Sequence, residues 1–485
     1  MAEEFETVIG LECHVELSTH TKMFCGCLNE FGAPPNTNVC PVCLGQPGSL
    51  PVPNEKAIEY IVRIGLALGC QIAGRSLFHR KNYFYPDMPK NFQISQYDLP
   101  ICVGGHLDLE IGGTPRRIGI TRVHMEEDTG KTTHAGTTGR IAQAEYALVD
   151  YNRAGIPLVE VVSEPDLRSP EEARVFLTEV RAILQALGVS DVRMEEGSFR
   201  CDTNISTRRA GEEGLGVKIE IKNLNSIRSV ERALRFEEER QHAALQHGEP
   251  LIQETRHFDE EKGSTHTLRS KEEAFDYRYF PEPDLPPLEP APEWVERIRE
   301  SLPELPAARR ARYVRDFELR PAQALLVGAS KSSADFFEET VRLGASPAAA
   351  VNWITQDLAG LLNKAKIELE DSVLTPRHLA DLIRLVDDGT VSITGAKQAI
   401  EEAFDSGEPI SEIVEARGLR QVTDAAALET WVEEAIAENT RLVEQFRGGK
   451  EGVLNALVGQ VMKRSAGSAN PKVVSELLRS RLSEP

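Results

Sequence analysis

The sequence lacks any long hydrophobic run. No stretch approaches the roughly 20 apolar residues that span a bilayer as a helix, and even segment 60–69 is broken by Arg63. The first six residues include three glutamates and contain no apolar core of a signal peptide. We therefore expect no membrane partner and a cytoplasmic location, where the eight cysteines serve as thiols or metal ligands rather than disulfides.

Two common phosphate-binding motifs are also missing. The glycine-rich fingerprint of dinucleotide-binding folds does not occur, and the tripeptide Gly-Lys-Thr at 130–132 follows Met125 where a P-loop requires glycine. If ATP binds, metal ions and basic side chains must therefore hold it. On its own, each basic candidate is more often a surface residue. These candidates are Lys81, Lys90, Lys131, Lys218 and Lys222.

The charge of the chain is strongly negative but uneven. A net charge of −21 argues against nonspecific coating of nucleic acid. From residue 441 onward, however, eight Lys and Arg stand against four acids, a local charge of +4. This asymmetry indicates a nucleic-acid contact, although a helical surface of mixed charge is the simpler alternative. The candidate contacts are Arg441, Arg447, Lys450, Lys463, Arg464 and Lys472.

Residues 1 to about 280 are mostly strand-like. In segment 7–17, apolar residues alternate strictly with Glu12, His14 and Glu16, and segments 200–206 and 217–222 repeat the pattern. Such one-sided strands predict an antiparallel sheet with one face on a core and one face in water. Two helices are predicted within this region, at about 170–187 and 229–246.

Eight prolines between residues 281 and 306 mark a domain boundary, because they prevent a sheet or helix from continuing. Beyond them the apolar period becomes 3.6, and Thr375-Pro376 and Asn470-Pro471 predict helix starts. A softer break lies near 405–409. We therefore predict an α+β protein with a sheet domain at 1–292, a helical domain at 293–406 and a helical tail domain at 407–485.

Four cysteines form two close pairs. Cys25, Cys27, Cys40 and Cys43 have the spacing C-x-C-x12-C-x2-C, which brings four thiolates around one Zn²⁺ in a closed, structural shell. The alternative is four unrelated buried thiols. We predict a zinc-binding insertion within the sheet domain.

Acidic residues lie on the polar faces of the predicted strands. Glu12 and His14 share one strand face, Glu160 lies in an apolar strand, and three consecutive acids occupy 126–128. Oxygen ligands with at most one imidazole suit Mg²⁺, which often serves phosphate chemistry. Asp202 and Glu220 also lie on polar strand faces. For any one residue a solvated sheet face is the simpler explanation, but the set together favours a metal site.

The segment from Arg80 to Gln96 contains four aromatic residues and two prolines. We expect an ordered lid or binding loop without regular structure, because aromatic side chains are costly to leave in a mobile loop. Tyr83 is its candidate for contact with ATP or substrate. A loop packed only for stability is the alternative.

Seven motifs resemble the B subunit of aspartyl/glutamyl-tRNA amidotransferases, and the resemblance extends from about residue 5 to the end. They are segments 6–17, 80–96, 119–128, 162–166, 194–202, 222–226 and 276–284. The resemblance implies a cradle-shaped sheet domain related to glutamine synthetase, a helical domain and a small helical tail. It also implies a heterotrimer completed by an amidase (the A subunit) and a small third chain (the C subunit).

In that family, the B subunit uses ATP to phosphorylate the side-chain carboxylate of Glu-tRNA(Gln) or Asp-tRNA(Asn), which ammonia then amidates. The resemblance assigns the ion nearest the reaction to the positions of His14, Glu127 and Glu160, which we take as catalytic. It makes the four cysteines stabilising and the basic tail a tRNA contact. The complete expected magnesium set is Glu12, His14, Glu127, Glu160, Asp202 and Glu220.

Two rival functions fit parts of the same sequence. One is a noncatalytic tRNA-binding scaffold, whose acids are only a solvated face. The other is a free-standing ATP-dependent ligase that acts on a small carboxylic acid. No glutaminase nucleophile set is recognisable in the sequence, so we expect the isolated chain to use ammonia and not glutamine.

Overall fold

The computed structural model describes residues 5–135, 144–270, 276–422, 425–465 and 469–483, and the acidic residues 1–4 lie outside these ranges. The chain forms two compact units, the first ending at Pro306 and the second beginning at Ala307. Within the described ranges, no helix combines the length and apolar character needed to cross a bilayer.

The first unit is built on a sheet of twelve strands, with a separate two-stranded hairpin of β7 and β8. In chain order the strands are β1 (Phe5–Glu16), β2 (Gln71–Ile72), β3 (His79–Asn82), β4 (Phe92–Ser95), β5 (Cys102–Ile111), β6 (Thr114–Glu127), β7 (Lys131–Ala135), β8 (Tyr146–Asp150), β9 (Pro157–Ser163), β10 (Phe199–Arg209), β11 (Ile219–Lys222), β12 (Glu254–Asp259), β13 (Ser264–Ser270) and β14 (Phe280–Pro281).

The central path of the sheet runs β13-β12-β11-β10-β1-β9-β6-β4-β3-β14. The predicted antiparallel sheet is wrong in one place, since β11 and β12 pair in parallel and make the sheet mixed. The physical reason is the long helix between them, which carries the chain back so that the next strand starts at the same end. The segment 80–96, predicted to be irregular throughout, begins in β3 and ends just after β4. Only its middle part, which contains both prolines, is irregular.

One apolar face of the sheet carries the core of the first unit. Ile9, Leu11, Cys13 and Val15 of β1 are buried, in the alternation predicted for this strand. They join one hydrophobic cluster with residues of the helices. These helices are α1 (Glu55–Ala67), α2 (Pro170–Leu187), α3 (Ile227–Gln246) and α4 (Pro292–Glu300). The opposite face of β1 carries Glu12, His14 and Glu16 along its second half.

Capping residues fix the helix ends that the sequence predicts. Ser169 Oγ accepts a hydrogen bond from Glu172 N (3.1 Å), and α2 ends at Gly188 with φ +64°. A positive φ suits glycine because a β-carbon would be strained there. The predicted bounds of α2 are thereby confirmed.

The second unit is helical, as predicted. Its helices are α5 (Pro306–Asp316), α6 (Pro321–Val327), α7 (Lys331–Arg342), α8 (Pro347–Asn352), α9 (Ala359–Ala365), α10 (Pro376–Asp387), α11 (Ile393–Ser406), α12 (Ile410–Ala416), α13 (Ala425–Glu438), α14 (Thr440–Arg447), α15 (Leu454–Arg464) and α16 (Pro471–Ser483). Two hydrophobic clusters lie within it, one spanning residues 313–414 and the other 428–482. Thr375 and Asn470 accept hydrogen bonds from the first turns of α10 and α16, which confirms both predicted helix starts.

Candidate functional site

Strand register brings three polar side chains into one row across the sheet. His14 of β1 lies opposite Glu160 of β9, and Glu160 lies opposite His124 of β6. Because side chains two residues apart share a face, Glu126 joins His124 on the polar side. The apolar neighbours Val123 and Met125 are fully buried on the other side. The row therefore follows directly from three paired strands.

The side chains of this row converge closely. The distance from His14 Nε2 to Glu160 Oε2 is 3.4 Å, and His124 Nε2 lies 3.5 Å from both Glu160 Oε2 and Glu126 Oε1. One ligand atom each of His14, Glu126 and Glu160 lies within 4.8 Å of the others. Two carboxylates and one imidazole near one point provide half of the six ligands that Mg²⁺ takes, and water or phosphate would provide the rest. We define these three residues as the acid cluster.

Hydrogen bonds hold Glu126 in place. Ser95 Oγ donates to Glu126 Oε1 (2.8 Å), and Gln93 Nε2 donates to its other oxygen (3.2 Å). Arg122 Nε donates to His124 Nδ1 (3.4 Å), which leaves His124 Nε2 to face the two carboxylates. Such outer partners orient the groups that would bind a metal.

The acid cluster strongly favours positive charge. Burial alone would raise the pKa of Glu126, but His124, Lys81 and other cations outweigh it and hold that pKa well below its usual range. The pKa of Glu160 is lowered in the same way, against the effect of burial. Burial would lower the pKa of His14, yet the carboxylates raise it. A divalent cation would neutralise the carboxylates in the same way as the Lys81 ammonium group and a protonated imidazole do.

Glu127 lies outside the acid cluster, and its expected role in binding the ion stays a prediction. Its Oε1 accepts hydrogen bonds from Ile94 N (2.9 Å) and from Lys90 Nζ. The reason is the alternation of β6, which turns consecutive residues to opposite faces and so presents Glu126 instead. Lys90, expected to contact ATP, is buried in this ion pair and has its Nζ 5.2 Å from the centre of the Phe92 ring.

The other expected magnesium ligands form a neighbouring group. Glu12 lies opposite Asp202 and accepts a hydrogen bond from Asn204 Nδ2 (2.9 Å). Lys222 Nζ contacts Asp202 and lies 3.3 Å from Glu220 Oε1. Burial lowers the pKa of Lys222, but these carboxylates outweigh it and raise that pKa. A lysine thus already balances the charge of Asp202 and Glu220.

A cavity of about 250 Å³ opens beside Glu12 on the same face of the sheet. Gly10 and Glu12 of β1, Val162 of β9 and Asn204 of β10 line it, and the exposed Lys218 borders it. Its lining combines apolar surface, a carboxylate and an ammonium group. This composition is typical of a small-molecule site in which a few polar groups fix the orientation.

Lys81 and Tyr83 lie on the other side of the acid cluster, at and after β3. The Nζ of Lys81 is 5.0 Å from the centre of the Tyr277 ring. Burial lowers the pKa of Lys81, but nearby Glu126 and other anionic groups raise it overall. Burial raises the pKa of Tyr83, and Asp87 and the acids at 126–128 raise it further. Both side chains therefore lie within the electric field of the acid cluster.

The four paired cysteines come together as predicted. Cys43 Sγ lies 3.6 Å from Cys25 Sγ, 3.8 Å from Cys40 Sγ and 3.9 Å from Cys27 Sγ. A tetrahedron with Zn–S bonds of about 2.3 Å has edges of about 3.8 Å, so these spacings fit zinc. They are far longer than the roughly 2.05 Å of a disulfide bond. Hydrogen bonding with Cys25 lowers the pKa of Cys43 to about 4, which favours the thiolate form.

Two acids hold one of the expected nucleic-acid contacts in place. Arg464 is held by Glu434, at 3.0 Å, and by Glu438. The remaining five are exposed on α14 to α16 and the loop between α14 and α15. They are Arg441, Arg447, Lys450, Lys463 and Lys472.

Sequence reasoning missed Glu126 and His124 as members of the site. The signal that could have found them is the period of two in segment 118–126, where buried Val123 and Met125 alternate with His124 and Glu126. Three consecutive acids concealed this alternation, because the chemistry of Glu126 and Glu127 is identical.

Comparison with known proteins covers almost the whole chain. The family model described as the GatB/GatE catalytic domain matches residues 7–296, and the model described as the GatB domain matches residues 335–482. Three similar curated relatives are each the B subunit of an aspartyl/glutamyl-tRNA(Asn/Gln) amidotransferase. That of Carboxydothermus hydrogenoformans is 50% identical over 481 residues, covering 99% of both chains. Those of Brevibacillus brevis and Moorella thermoacetica are 50% and 51% identical over 479 residues, covering 99% of this chain and 99% and 100% of the relatives.

Proposed function

Because the chain belongs to the GatB family of tRNA amidotransferase subunits, we propose that it activates an aminoacyl-tRNA for amidation. It phosphorylates the side-chain carboxylate of Glu-tRNA(Gln) or Asp-tRNA(Asn) with ATP, and ammonia then displaces the phosphate. The product is Gln-tRNA(Gln) or Asn-tRNA(Asn). As a ligase, the complex forms a carbon–nitrogen bond with glutamine as its amido donor.

The observation that carries the proposal is the acid cluster of His14, Glu126 and Glu160. A carboxylate and a γ-phosphate repel each other because both are anions, and a divalent cation bound at the cluster would remove that repulsion. The three side chains fit Mg²⁺ in donor type and spacing. His124, Ser95 and Gln93 hold the two carboxylates in position.

ATP would approach from the side of Glu12 and Lys218. The cavity there lies on the same sheet face as the acid cluster and has the apolar surface that a nucleobase needs. Lys218 and Lys222 supply positive charge near the phosphates. The basic residues of the last three helices would contact tRNA phosphates, with Arg464 serving mainly to hold α15 against α13.

The wider assembly follows from the family. We propose three partners, namely a tRNA, a small C subunit, and an amidase A subunit that releases ammonia from glutamine. The proposed domains are 1–292, 293–406 and 407–485, with a fold relationship to glutamine synthetase for the first. Its large sheet with carboxylates along one face supports that relationship. We propose a structural role for Zn²⁺ in the Cys25–Cys43 insertion and a cytoplasmic location for the reaction.

The experiment that tests this proposal measures whether ATP drives amidation of the aminoacyl-tRNA. Purified native complex receives labelled ATP, ammonium chloride and Glu-tRNA(Gln) or Asp-tRNA(Asn), and the amino acid recovered from the tRNA is identified. We expect amide formation by the wild type and at least a 100-fold loss for Glu160→Gln, with tRNA affinity nearly unchanged. Retained amidation by Glu160→Gln would refute the proposal, and amidation of a free small acid would favour the free-standing ligase.

A further inference from the structure

Four tyrosines form a wall of rings on one side of the acid cluster. Tyr97 and Tyr279 stack face to face, with centroids 4.2 Å apart and planes 9° apart. Tyr277 meets Tyr279 edge to face at 6.1 Å, and Tyr83 meets Tyr277 in the same way at 6.3 Å. We call these four residues the tyrosine wall. Tyr97 is 57% exposed, so the stack of Tyr97 on Tyr279 reaches solvent.

The tyrosine wall is held by specific backbone contacts. Asn82 N donates to Tyr277 O (2.9 Å), and Asn82 Nδ2 donates to Arg278 O (2.8 Å). Arg278 has a φ of +46°, which is strained for a residue with a side chain. The strained residue separates Tyr277 from Tyr279, whose rings meet edge to face beside Lys81 and Tyr97. Arg278 is itself exposed and positively charged.

The tyrosine wall adjoins the acid cluster through β3 and β4. Ser95 of β4 donates to Glu126, and Tyr97 follows two residues later in the chain. The ammonium group of Lys81 lies against the Tyr277 ring, while Glu126 and Glu160 raise its pKa. A ligand group at the acid cluster could therefore be continuous with a second group on the tyrosine wall.

The chemistry of the proposed reaction requires such a second group. This step rests on the proposed function, in which an aminoacyl carboxylate lies at the acid cluster while its ester joins the 3′-terminal ribose of the tRNA. That terminal nucleoside is unpaired, and proteins commonly bind unpaired bases by stacking them on aromatic rings. In-line phosphoryl transfer needs the nucleotide and the carboxylate on opposite sides of the moving phosphoryl group. The cavity at Glu12 occupies one side of the cluster and the tyrosine wall the other.

We propose that the tyrosine wall is the stacking subsite for the 3′-terminal nucleoside of the aminoacyl-tRNA. The terminal base extends the stack of Tyr97 on Tyr279, and Arg278 faces a phosphate of the RNA backbone. Every base has an aromatic face, so this contact positions the RNA end without reading its sequence.

The test combines a protein variant with an altered RNA end. Native complex with Tyr97→Ala is assayed for amidation with ammonium chloride, using Glu-tRNA with its terminal base intact or with that base removed from the ribose. Tyr97→Phe is the conservative variant, and Tyr146→Ala, an exposed tyrosine on the separate hairpin, is the matched control. We expect a roughly tenfold higher KM for intact Glu-tRNA with Tyr97→Ala, no change in KM for ATP, and rescue in Tyr97→Phe.

Removing the terminal base should raise the wild-type KM for Glu-tRNA by a similar factor and should add little in Tyr97→Ala. An equal wild-type KM for Glu-tRNA with and without the terminal base would refute the subsite, but it would not contradict the proposed function. The subsite would also be refuted if the effects of Tyr97→Ala and of base removal on KM multiplied as independent factors. A Tyr97→Ala effect on the KM for ATP rather than for tRNA would refute it as well. A wild type that amidates no intact substrate would refute the proposed function itself. The wild-type comparison of the two RNA ends stays decisive if the variant fails to fold.

Discussion

His14 and Glu160 face each other across two antiparallel strands, with 3.4 Å between the imidazole Nε2 and the nearer carboxylate oxygen. Glu160 is the charged residue of the otherwise apolar strand β9, and it lies on the polar face of the sheet. Glu160 is only 8% exposed, so its charge needs a partner that water cannot supply. This relationship makes the pair the centre of the proposed metal site.

Glu126 and Glu127 provide a matched test of that site, because they are adjacent and chemically identical. Glu126→Gln removes a carboxylate from the acid cluster, so we expect phosphoryl transfer to aminoacyl-tRNA to fall by at least about 100-fold. Glu127→Gln removes the buried partner of Lys90 instead. We expect activity within a few-fold of wild type and a free energy of unfolding lower by about 1–3 kcal/mol. Steady-state kinetics and urea unfolding measure the two effects, and the reverse pattern would contradict the assignment.

Lys22 connects the four cysteines to the loop between β8 and β9. Its Nζ lies 3.6 Å from Cys43 Sγ and donates to Ala154 O at 2.7 Å, although the residue is only 1% exposed. In the same loop, Arg153 donates to Thr129 O at 3.0 Å. Four thiolates and one Zn²⁺ carry an excess negative charge, which the buried ammonium offsets.

We therefore expect Lys22→Met to release zinc to a chelator roughly ten times faster than wild type. A coloured metal indicator follows the release, and hydrogen exchange of residues 151–156 reports whether the loop loosens with it. Lys22→Arg should recover part of the effect. The exposed pair of Lys56 and Glu59 supplies the control, Lys56→Met, which should match wild type. Equal release rates in all four proteins would show that Lys22 does not stabilise the zinc centre.

Glu338 gives the helical unit a pH dependence that can be measured. Burial would raise its pKa, but Arg309 Nε at 2.6 Å, Tyr313 and Arg312 outweigh it and lower the pKa to about 2. A carboxyl with a lowered pKa in the folded state stabilises the protein above its unfolded value of about 4.5. That stabilisation is lost as the pH falls from about 4.5 towards 2.

The unfolding midpoint in urea at pH 7, 4 and 3 tests this dependence. Wild type should be more stable than Glu338→Gln at pH 7, and the difference should shrink steadily at the two lower values. Glu339→Gln is the control, since Glu339 pairs with Arg342 on an exposed surface. A difference that stays constant from pH 7 to pH 3 would exclude the network of Glu338 as its source.

Lys463 and Arg464 are neighbours with different predicted roles. Lys463 is exposed, whereas two acids of α13 hold Arg464. We expect Lys463→Ala to weaken tRNA binding and to reduce the slope of log affinity against log salt by about 1. Arg464→Ala should mainly lower thermal stability. Filter binding at several salt concentrations separates the two, and an unchanged salt slope for Lys463→Ala would argue against a phosphate contact there.

Much of the fold could be predicted because local chemistry determines it. The alternation in β1, the cap Ser169 with the stop Gly188, and the caps Thr375 and Asn470 each act within a few residues. The parallel pairing of β11 with β12 could not be predicted this way. It depends on the end of the sheet at which the chain re-enters after α3, and no local sequence pattern determines that.

The site was predictable only in part for a similar reason. The spacing of the cysteines predicted that Cys25 and Cys43 would meet, and the strand pattern placed His14 and Glu160 on polar faces. Whether Glu126 or Glu127 joins them depends on which residues of β6 face the polar side of the sheet. Two identical residue types give no information about that. The ion pair of Lys90 with Glu127 could not be predicted either, because neither segment's sequence indicates which distant segment it contacts.

The most direct test of the central claim locates a divalent cation in a crystal of the full-length chain soaked with Mn²⁺, a magnesium substitute visible by anomalous scattering. The account predicts a peak bound by His14, Glu126 and Glu160, which disappears in Glu126→Gln and persists in Glu127→Gln. A peak held by Glu127, or no peak among these side chains at a Mn²⁺ concentration that supports amidation, would contradict it.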